Sequence, residues 1–188
     1  MGSNSVNEAR LWESGDIQVI EIERAPIIID IEASGFGVGS YPIEVGVAMP
    51  DGTLYDWLIE PAPHWTHWQT EAESIHGISR EMLLQEGLPM ADVANELNEL
   101  LHNETAFSDG WGVDRAWLAL LFHDAGIYQG FKIDSVYALL NEVQLDSWGE
   151  YRQAVLDDSG HVPHRAGIDA GITQKTFLHA KHVERQSR

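Results

Sequence analysis

Short apolar runs separated by turn residues predict three β-strands in the first third of the chain. Residues 25–32 are rich in isoleucine, and this short β-branched run predicts a strand that is buried on both faces and central in its sheet. Residues 43–49 and 53–59 flank a Pro-Asp-Gly turn at 50–52, which predicts an antiparallel hairpin. The sheet is therefore expected to begin with three consecutive strands.

Helical periodicity replaces strand periodicity after Pro63. The pattern predicts helices over 68–76, 79–85, 89–101 and 113–122, and a partly helical stretch over 137–155 with a break around 148–149. It also predicts a last helix that follows Pro163 and runs to about His182, and short strands over 104–108 and 131–136. Early strands followed by alternating helices and strands predict an α/β sandwich on one mixed sheet, with the hairpin at one side. We expect residues 1–20 to be a loosely ordered segment and residues 21–188 to form a single domain.

Two carboxylates interrupt the most apolar strand. Asp30 and Glu32 are two residues apart, so in a strand they point to the same face while Ile31 points to the other. Neighbouring carboxylates at the end of a buried strand repel each other and lose hydration, and a divalent cation relieves both costs. In a chain without cysteine, carboxylate ligands favour a hard ion, Mg²⁺ or Mn²⁺. The alternative is a solvated pair at a frayed strand end.

A histidine and an aspartate near the C-terminus form a second candidate group. His164 and Asp169 cannot share a face of one regular helix, but they converge if His164 lies in the loop or first turn and Asp169 lies one turn in. A stripe of mostly small residues predicts that this helix lies close to the sheet: Ala166, Ala170, Thr173 and Phe177. The alternative is an ordinary surface helix with an unrelated histidine.

A third acid, Asp114, follows the predicted strand 104–108 and a Gly-Trp-Gly turn, and it opens an apolar helix. Taken alone, an acid in this position is most simply an N-cap or a first-turn carboxylate favoured by the helix dipole. Asp114 becomes a candidate ligand only in combination with the other two groups.

Composition limits the chemistry that these acids can support. The chain has 188 residues and no cysteine, which excludes disulfides, cysteine-ligated metals and a cysteine nucleophile. Its 30 acidic and 11 basic residues give a net charge of −19, which excludes a uniformly basic nucleic-acid-binding protein. The excess of acid lies mostly in residues 1–100, whereas residues 161–188 are net basic, so the C-terminal helix is expected to supply a local positive strip.

Segments that would direct the chain to a membrane are not evident in the sequence. No stretch approaches the roughly 20 apolar residues of a membrane span. The N-terminus lacks the basic start and apolar run of a signal peptide. A cytoplasmic protein without a membrane partner is therefore expected.

Taken together, these groups resemble the motifs of the DnaQ-like (DEDDh) 3′→5′ exonucleases. The resemblance lies in Asp30-Ile31-Glu32-Ala33-Ser34-Gly35-Phe36 for the first motif, Asp114 with Trp117-Leu118 for the second, His164-x-Ala166-x-x-Asp169 for the third, and a local match at Ile75-His76-Gly77-Ile78-Ser79. It extends from about Ile27 to about Lys181, and four motifs in this order are far more specific than one. The resemblance implies a ribonuclease H-like three-layer α/β/α fold.

The same resemblance implies two-metal hydrolysis of phosphodiester bonds from the 3′ end, with release of nucleoside 5′-monophosphates. It implies that two Mg²⁺ or Mn²⁺ ions are held by Asp30, Glu32, Asp114 and Asp169, with His164 as the general base. The substrate-binding residues that it implies are Ser34, Gly35, Phe36 and His76. The implied partners are 3′ ends of single-stranded DNA or RNA or short oligonucleotides, and a homodimer is an assembly to test because several relatives are dimers.

The sequence departs from the family pattern at two positions and is unusually rich in tryptophan. Ala33 stands where the family often has threonine, and Asp109 stands near a common asparagine of the second motif. Trp65, Trp68 and Trp111 fall near the expected substrate side and are candidate stacking platforms, although core packing is the more frequent role of a tryptophan.

Three other functions fit parts of this pattern. They are an endonuclease on the same fold, a non-catalytic exonuclease-like module that binds a partner protein, and an acidic protein whose carboxylates only bind ions. The negative charge keeps the non-catalytic module in consideration, because an acidic surface repels long polyanions. For an exonuclease, the same charge predicts weak, salt-sensitive and distributive binding.

Overall fold

A computed structural model of the chain describes residues 24–160 and 164–186, with side chains up to residue 183. The segment predicted at 1–20 lies outside the described residues. The strands are Ile27–Ala33 (β1), Pro42–Ala48 (β2), Leu54–Leu58 (β3), Thr105–Ser108 (β4) and Lys132–Ser135 (β5). They pair in the order β3-β2-β1-β4-β5.

Strand β1 is central in this sheet, as its apolar run predicts. It pairs antiparallel with β2 and parallel with β4, while β3 extends the β2 side as a hairpin and β5 runs parallel to β4. The predicted mixed five-stranded sheet with the hairpin at one side is therefore confirmed. Because β1, β4 and β5 run parallel, their carboxyl ends lie at one edge, where the functional loops of α/β proteins commonly gather.

Helices cover both faces of the sheet and complete the predicted three layers. Along the described residues they are α1 (Thr70–His76), α2 (Arg80–Glu86), α3 (Met90–Leu101), α4 (Trp111–Ala125), a 3₁₀ turn (Val136–Leu139), α5 (Glu142–Asp146), α6 (Trp148–Ser159) and α7 (Ala166–Gln186). Among these helices of the described chain, not one combines the length and the apolar character that crossing a bilayer requires.

Alternation along β1 sends its side chains to two separate cores. Its odd-numbered isoleucines pack with the apolar residues of α3 and α4 on one face. Ile28 packs with Ala170 of α7 on the other face. Asp30 and Glu32 share the face of Ile28, so both carboxylates point to the side of the sheet that α7 covers.

Helix α7 approaches the sheet very closely at Gly46 of β2. A Cβ at this position would overlap the backbone of Ala166 and Gly167, so only glycine permits the contact. The predicted small-residue stripe is buried: Ala166, Ala170, Thr173 and Phe177. Gly46 is also the partner of Asp30 across the β1–β2 ladder. The close approach therefore brings the first turn of α7 next to the strand carboxylates.

Several helix boundaries differ from the predicted ones by a few residues, and those near Trp111 and Ser147 have an identifiable local cause. Helix α4 begins at Trp111 with Gly110 as its N-cap, so the predicted Gly-Trp-Gly turn contributes its last two residues to the helix. The apolar pattern misses this first turn because Gly112 faces open space and adds nothing to the stripe. The break predicted around 148–149 falls at Ser147, where α5 ends and α6 begins.

Candidate active site

A cleft at the carboxyl end of β1 brings together all four acids that the sequence singles out. Its lining includes the carboxylates Asp30, Glu32, Asp114 and Asp169, the cation Arg152, and the rings of Phe36, His76 and Trp117. The acids come from three elements, β1, α4 and α7, that are far apart in the sequence.

The two strand carboxylates are poorly hydrated and lie among other acids. Burial raises the pKa of Asp30 well above its ordinary value, and the charges of neighbouring acids, Asp114 first, raise it further. Burial likewise raises the pKa of Glu32 to about 7, and the charges of Asp169 and Glu44 act in the same direction. Carboxylates perturbed in this way are typical of a cation site or of a catalytic acid.

Asp114 is a buried residue of the first helical turn, 3% exposed, rather than a solvent-facing cap. The hydroxyl of Ser108, at the end of β4, donates a hydrogen bond to Asp114 Oδ2. Burial raises the pKa of Asp114 to about 6, although this hydrogen bond acts in the opposite direction. A Cβ at Gly110 would lie only 2.8 Å from Oδ2, so a glycine makes room for the carboxylate. An interaction with the helix dipole alone does not explain this packing.

His164 and Asp169 converge as the five-residue spacing allows. His164 precedes α7 with a backbone φ of +79°, and its N–H donates to Asp169 Oδ2 at 2.6 Å. The carboxylate thereby satisfies a backbone donor of the loop that carries the histidine. Glu32, His164 and Asp169 each offer one ligand atom, and these three atoms lie within 4.8 Å of one another.

An ion pair with a buried carboxylate holds the residue next to His164. Glu44, fully buried in β2, accepts a hydrogen bond from Arg165 Nε at 2.9 Å and another from the N–H of Ala166 at 2.9 Å. Lys181 donates to a backbone carbonyl at 2.8 Å. Both cations are therefore paired within the protein, although the Arg165 side chain stays 44% exposed, and the positive strip predicted for the C-terminal helix loses two of its free charges. Pairing with a strand more than a hundred residues away leaves no local signal in the sequence.

The cation of the cleft comes from α6 instead. Arg152 is the one Lys or Arg among the residues described as lining the cleft. Its guanidinium lies 3.4 Å from Asp169 Oδ1 and 3.5 Å from Asp109 Oδ2, and it donates to Thr173 Oγ1 at 3.1 Å. Arg152 is not predicted from the sequence, because the stretch 137–155 carries no motif. The available signal was a single base in a helix that otherwise carries only acidic charges.

Ser34 is part of the loop framework and does not line the cleft, in contrast to its neighbour Gly35. It is 1% exposed, its hydroxyl shares a hydrogen bond with His67 Nδ1 at 3.0 Å, and it accepts another from the N–H of Tyr41 at 3.1 Å. The hydroxyl of Ser34, one of the implied substrate-binding residues, is therefore used within the protein. Gly35 has a φ of +132° and packs against the side chain of Gln69, where a Cβ would clash.

Phe36 and Trp117 form an aromatic pair at the mouth of the cleft. Phe36 is 69% exposed, and its ring centroid lies 5.8 Å from that of Trp117. The side-chain amide of Gln69 fixes the loop by accepting from the Phe36 N–H at 3.0 Å and donating to its carbonyl at 2.9 Å. An exposed ring on a fixed backbone offers a sequence-tolerant surface on which a base can stack.

The three tryptophans considered as platforms make internal contacts instead. Trp65 is 4% exposed and donates to Asp124 at 2.7 Å. Trp68 donates to Glu73 at 2.6 Å, and Trp111 donates to a backbone carbonyl at 3.3 Å. None of the three is among the residues described as lining the cleft. Core packing, the alternative weighed for them, fits these contacts better than stacking does.

His76 presents an unpartnered nitrogen in the wall of the cleft. Its Nδ1 accepts from the N–H of Ile78 at 3.0 Å, which leaves the ring proton on Nε2. Nε2 is buried and makes no hydrogen bond of ordinary geometry to the described residues, although the backbone of Ala33 lies close enough to act on the pKa of the ring. Burial lowers the pKa of His76 and so favours the neutral ring. A buried donor without a partner is costly, so an acceptor on a ligand would be stabilised here.

The donor set of the cleft fits hard divalent cations. Its four carboxylates supply only oxygen ligands, as Mg²⁺ and Mn²⁺ prefer. The other potential ligand beside them is the imidazole of His164. The pKa values of Asp30, Glu32 and Asp114 are all raised by lost hydration and by neighbouring negative charge. Bound cations would remove the repulsion that raises them.

No family model and no curated protein matches the chain. Solved structures of exonuclease I do. The Escherichia coli enzyme in complex with a dT13 oligonucleotide has a TM-score of 0.61 and 12% identity over 84% of this chain and 40% of that chain. A moderately thermophilic exonuclease I from Methylocaldum szegediense gives 0.60 and 15% identity over 86% and 41%. The zinc-bound form of the E. coli enzyme with single-stranded DNA gives 0.56 and 16% over 86% and 41%.

These comparisons establish the fold. The mixed five-stranded sheet with helices on both sides is the ribonuclease H-like α/β fold of those exonucleases, as the motif resemblance implies. The chain spans about two fifths of the length of the exonuclease I chains that it matches.

Proposed function

We propose that the chain is a divalent-cation-dependent 3′→5′ exonuclease that releases nucleoside 5′-monophosphates from single-stranded or short nucleic acids. The observation that carries the proposal is the convergence of four acids from β1, α4 and α7 in one cleft, with a histidine beside two of them. The fold supports the same reaction class, because the matching structures are exonucleases crystallised with single-stranded oligonucleotides. The order of the four sequence motifs supports it independently.

The four cleft acids, Asp30, Glu32, Asp114 and Asp169, are the proposed ligands of two cations, Mg²⁺ or Mn²⁺. When bound, such ions supply Lewis-acid stabilisation of the phosphate and lower the pKa of an attacking water. The raised pKa values of three of these acids support the assignment, because lost hydration and neighbouring negative charge outweigh the stabilising contacts that these carboxylates have. Ser108 holds one ligand, Asp114, at a fixed angle through its hydroxyl.

His164 is the proposed general base. Its ring is exposed at the edge of the cleft, and one of its nitrogens lies within 4.8 Å of ligand atoms of Glu32 and Asp169. Imidazole is the side chain best suited to accept a proton near neutral pH. Two hydrogen bonds fix the backbone of the loop at this histidine. The N–H of His164 donates to the Asp169 carboxylate, and the side chain of the next residue, Arg165, donates to Glu44. The base therefore keeps its position without being packed into the core.

The Phe36–Trp117 pair and His76 are the proposed contacts to the 3′-terminal nucleotide. Phe36 offers a face for the base, and stacking of this kind does not discriminate between bases. His76 Nε2 offers a donor to an oxygen of the sugar or phosphate. Gly35 lets the strand-end backbone approach closely, while Ser34 acts indirectly by fixing the loop. The large excess of acid elsewhere on the chain favours weak and distributive binding.

Degradation of 5′-labelled DNA and RNA oligonucleotides of equal sequence and several lengths tests the proposal. With Mg²⁺ or Mn²⁺ we expect a ladder that shortens from the 3′ end, mononucleotide products, and no products after chelation. Asp30→Asn is the matched inactive variant. Internal fragments from substrates with blocked 3′ ends would make the chain an endonuclease. Cation-independent products, or none from any substrate, would overturn the proposal.

A further inference from the structure

A guanidinium lies beside the proposed metal ligands, and the proposed reaction assigns it no role. Arg152 extends from α6 into the cleft, where its side chain remains 29% exposed. Helix α6 packs along α7, the helix that carries Asp169. Arg152 is therefore held in the cleft by a packed helix, and it lines the same cleft as the acid Asp114 of α4.

We propose that Arg152 binds the phosphate of the nucleotide to be released, and that its pairing with Asp169 gives way when a divalent cation occupies that carboxylate. The inference rests on the proposed function, because it presumes a phosphate-containing ligand in this cleft. It adds a phosphate-binding residue that is not part of the four motifs in the sequence.

The contacts of Arg152 are long enough that its guanidinium can exchange one of them for a ligand. Charge-assisted pairs between a guanidinium and a carboxylate are usually about 2.7–2.9 Å long. Arg152 lies at 3.4 Å from Asp169 and 3.5 Å from Asp109. Its shortest contact, 3.1 Å, is with the neutral hydroxyl of Thr173. Loss of one long contact to Asp169 therefore costs little, while Thr173 and Asp109 keep the guanidinium in place.

The charges of the cleft favour the same conclusion. Two divalent cations would balance the four carboxylates that line it, and Arg152, which Asp109 contacts from outside the lining, would then be the positively charged side chain that faces the ligand. A phosphodiester is an anion, and its negative charge grows as the attacking oxygen adds. A guanidinium suits this group because its planar fork donates two parallel hydrogen bonds to phosphate oxygens.

Asp109 is a positioning residue for this guanidinium. It accepts from Thr173 Oγ1 at 3.3 Å and lies beside one arm of Arg152. Asp109 is not itself among the residues that line the described cleft. The Asp109 carboxylate contacts Nη1 of the Arg152 guanidinium, which leaves Nη2 to face Asp169 and the cleft.

Binding of thymidine 5′-monophosphate in the presence of Mn²⁺, measured by calorimetry, tests the inference without requiring turnover. The variants are Arg152→Gln, which removes the charge, and Arg152→Lys, which keeps the charge but not the fork. Lys132→Gln is the matched control, because Lys132 is exposed at the start of β5, at the opposite edge of the parallel strands. Mn²⁺ binding without nucleotide is measured for each variant.

For Arg152→Gln we expect roughly 10- to 100-fold weaker nucleotide binding, as for loss of a hydrogen bond to a charged group. Mn²⁺ binding should be unchanged or tighter, because a competing cation has been removed from Asp169. Arg152→Lys should lose less nucleotide affinity, and Lys132→Gln should lose none. For a single-stranded oligonucleotide, Arg152→Gln should reduce the slope of log affinity against log salt by about 0.7.

Three outcomes would overturn the inference. Unchanged nucleotide affinity in Arg152→Gln would show that Arg152 does not bind the phosphate. An equal loss of affinity in Lys132→Gln would show that the effect comes from the net charge of the protein and not from a contact of Arg152. A parallel loss of Mn²⁺ and nucleotide binding would mean that Arg152 only holds Asp169 in place. If the wild type hydrolyses oligonucleotides while Arg152→Gln binds nucleotide normally, the inference fails alone. If Arg152-dependent binding occurs without hydrolysis, the proposed function fails alone.

Discussion

Glu44 holds Arg165 through both of its carboxylate oxygens, although the two residues are 121 positions apart. Glu44 is fully buried in β2, and Arg165 is the residue that follows His164. The loop that carries the proposed base is thus fastened from inside the sheet. A buried carboxylate depends on its partner, because without one it pays its full desolvation cost.

Arg165→Met should therefore destabilise the fold by about 3 kcal/mol, the lower end for a broken buried pair, because Arg165 itself is 44% exposed. Urea unfolding in the presence of a chelator measures the change. The double variant Glu44→Met/Arg165→Met should recover most of the stability, because no charge is left unpaired. A single variant with an unchanged unfolding midpoint would show that the pair contributes nothing.

Asp30→Asn should abolish hydrolysis and yet raise the melting temperature at pH 8 when a chelator is present. The pKa of Asp30 is raised in the folded chain, so its ionisation opposes folding at that pH, and a neutral amide removes this cost. Thermal unfolding followed by circular dichroism measures the shift. Asp169→Asn is the matched control and should not stabilise, because Asp169 already accepts from His164 N–H and from Arg152. Equal shifts in both variants would contradict the prediction.

In the presence of a chelator, the free energy of unfolding should fall as the pH rises from about 4.5 to about 7. The pKa of Glu32 rises from 4.5 to about 7 on folding, so in this window the folded chain binds more protons than the unfolded chain. Stability from this group is present below the window and is lost as the pH passes through it. Urea unfolding at four pH values, compared with Glu32→Gln, isolates the effect. A wild-type curve that parallels the Glu32→Gln curve would refute it.

His164→Ala should lower the hydrolysis rate by about 10²- to 10⁴-fold, the usual contribution of a general base. Mn²⁺ affinity should change little, because four carboxylates remain. His102→Ala is the control, since His102 is an exposed histidine at the end of α3, and it should retain wild-type turnover. Single-turnover kinetics with a saturating cation concentration measure the rate. Normal turnover in His164→Ala would exclude the base role.

The sequence predicts those parts of the site that depend on local spacing. The common face of Asp30 and Glu32 follows from strand alternation, and the position of His164 just before α7 follows from its five-residue distance to Asp169. Both patterns lie within a few residues and are set by backbone geometry alone. The hairpin and the central position of β1 could be predicted for the same reason.

Contacts between distant segments were beyond such reasoning. Arg165 is 44% exposed, yet its charge is taken up by the buried carboxylate of Glu44. Ser34 lies inside a motif, yet its hydroxyl turns to His67. Arg152 lies outside every motif and reaches the cleft only because α6 packs on α7. Which charges and hydroxyls remain available to a ligand depends on tertiary partners, and a single sequence does not record them.

The origin of the cleft acids in β1, α4 and α7 has a consequence for how the chain withstands unfolding. Ions shared by these acids would join the first strand to the last helix, a cross-link that a chain without cysteine has no covalent means to make. Because such ions bind the folded state and not the dispersed ligands, stability would rise with the logarithm of their concentration. The supply of divalent cation would then govern the lifetime of this protein against proteases as well as its activity.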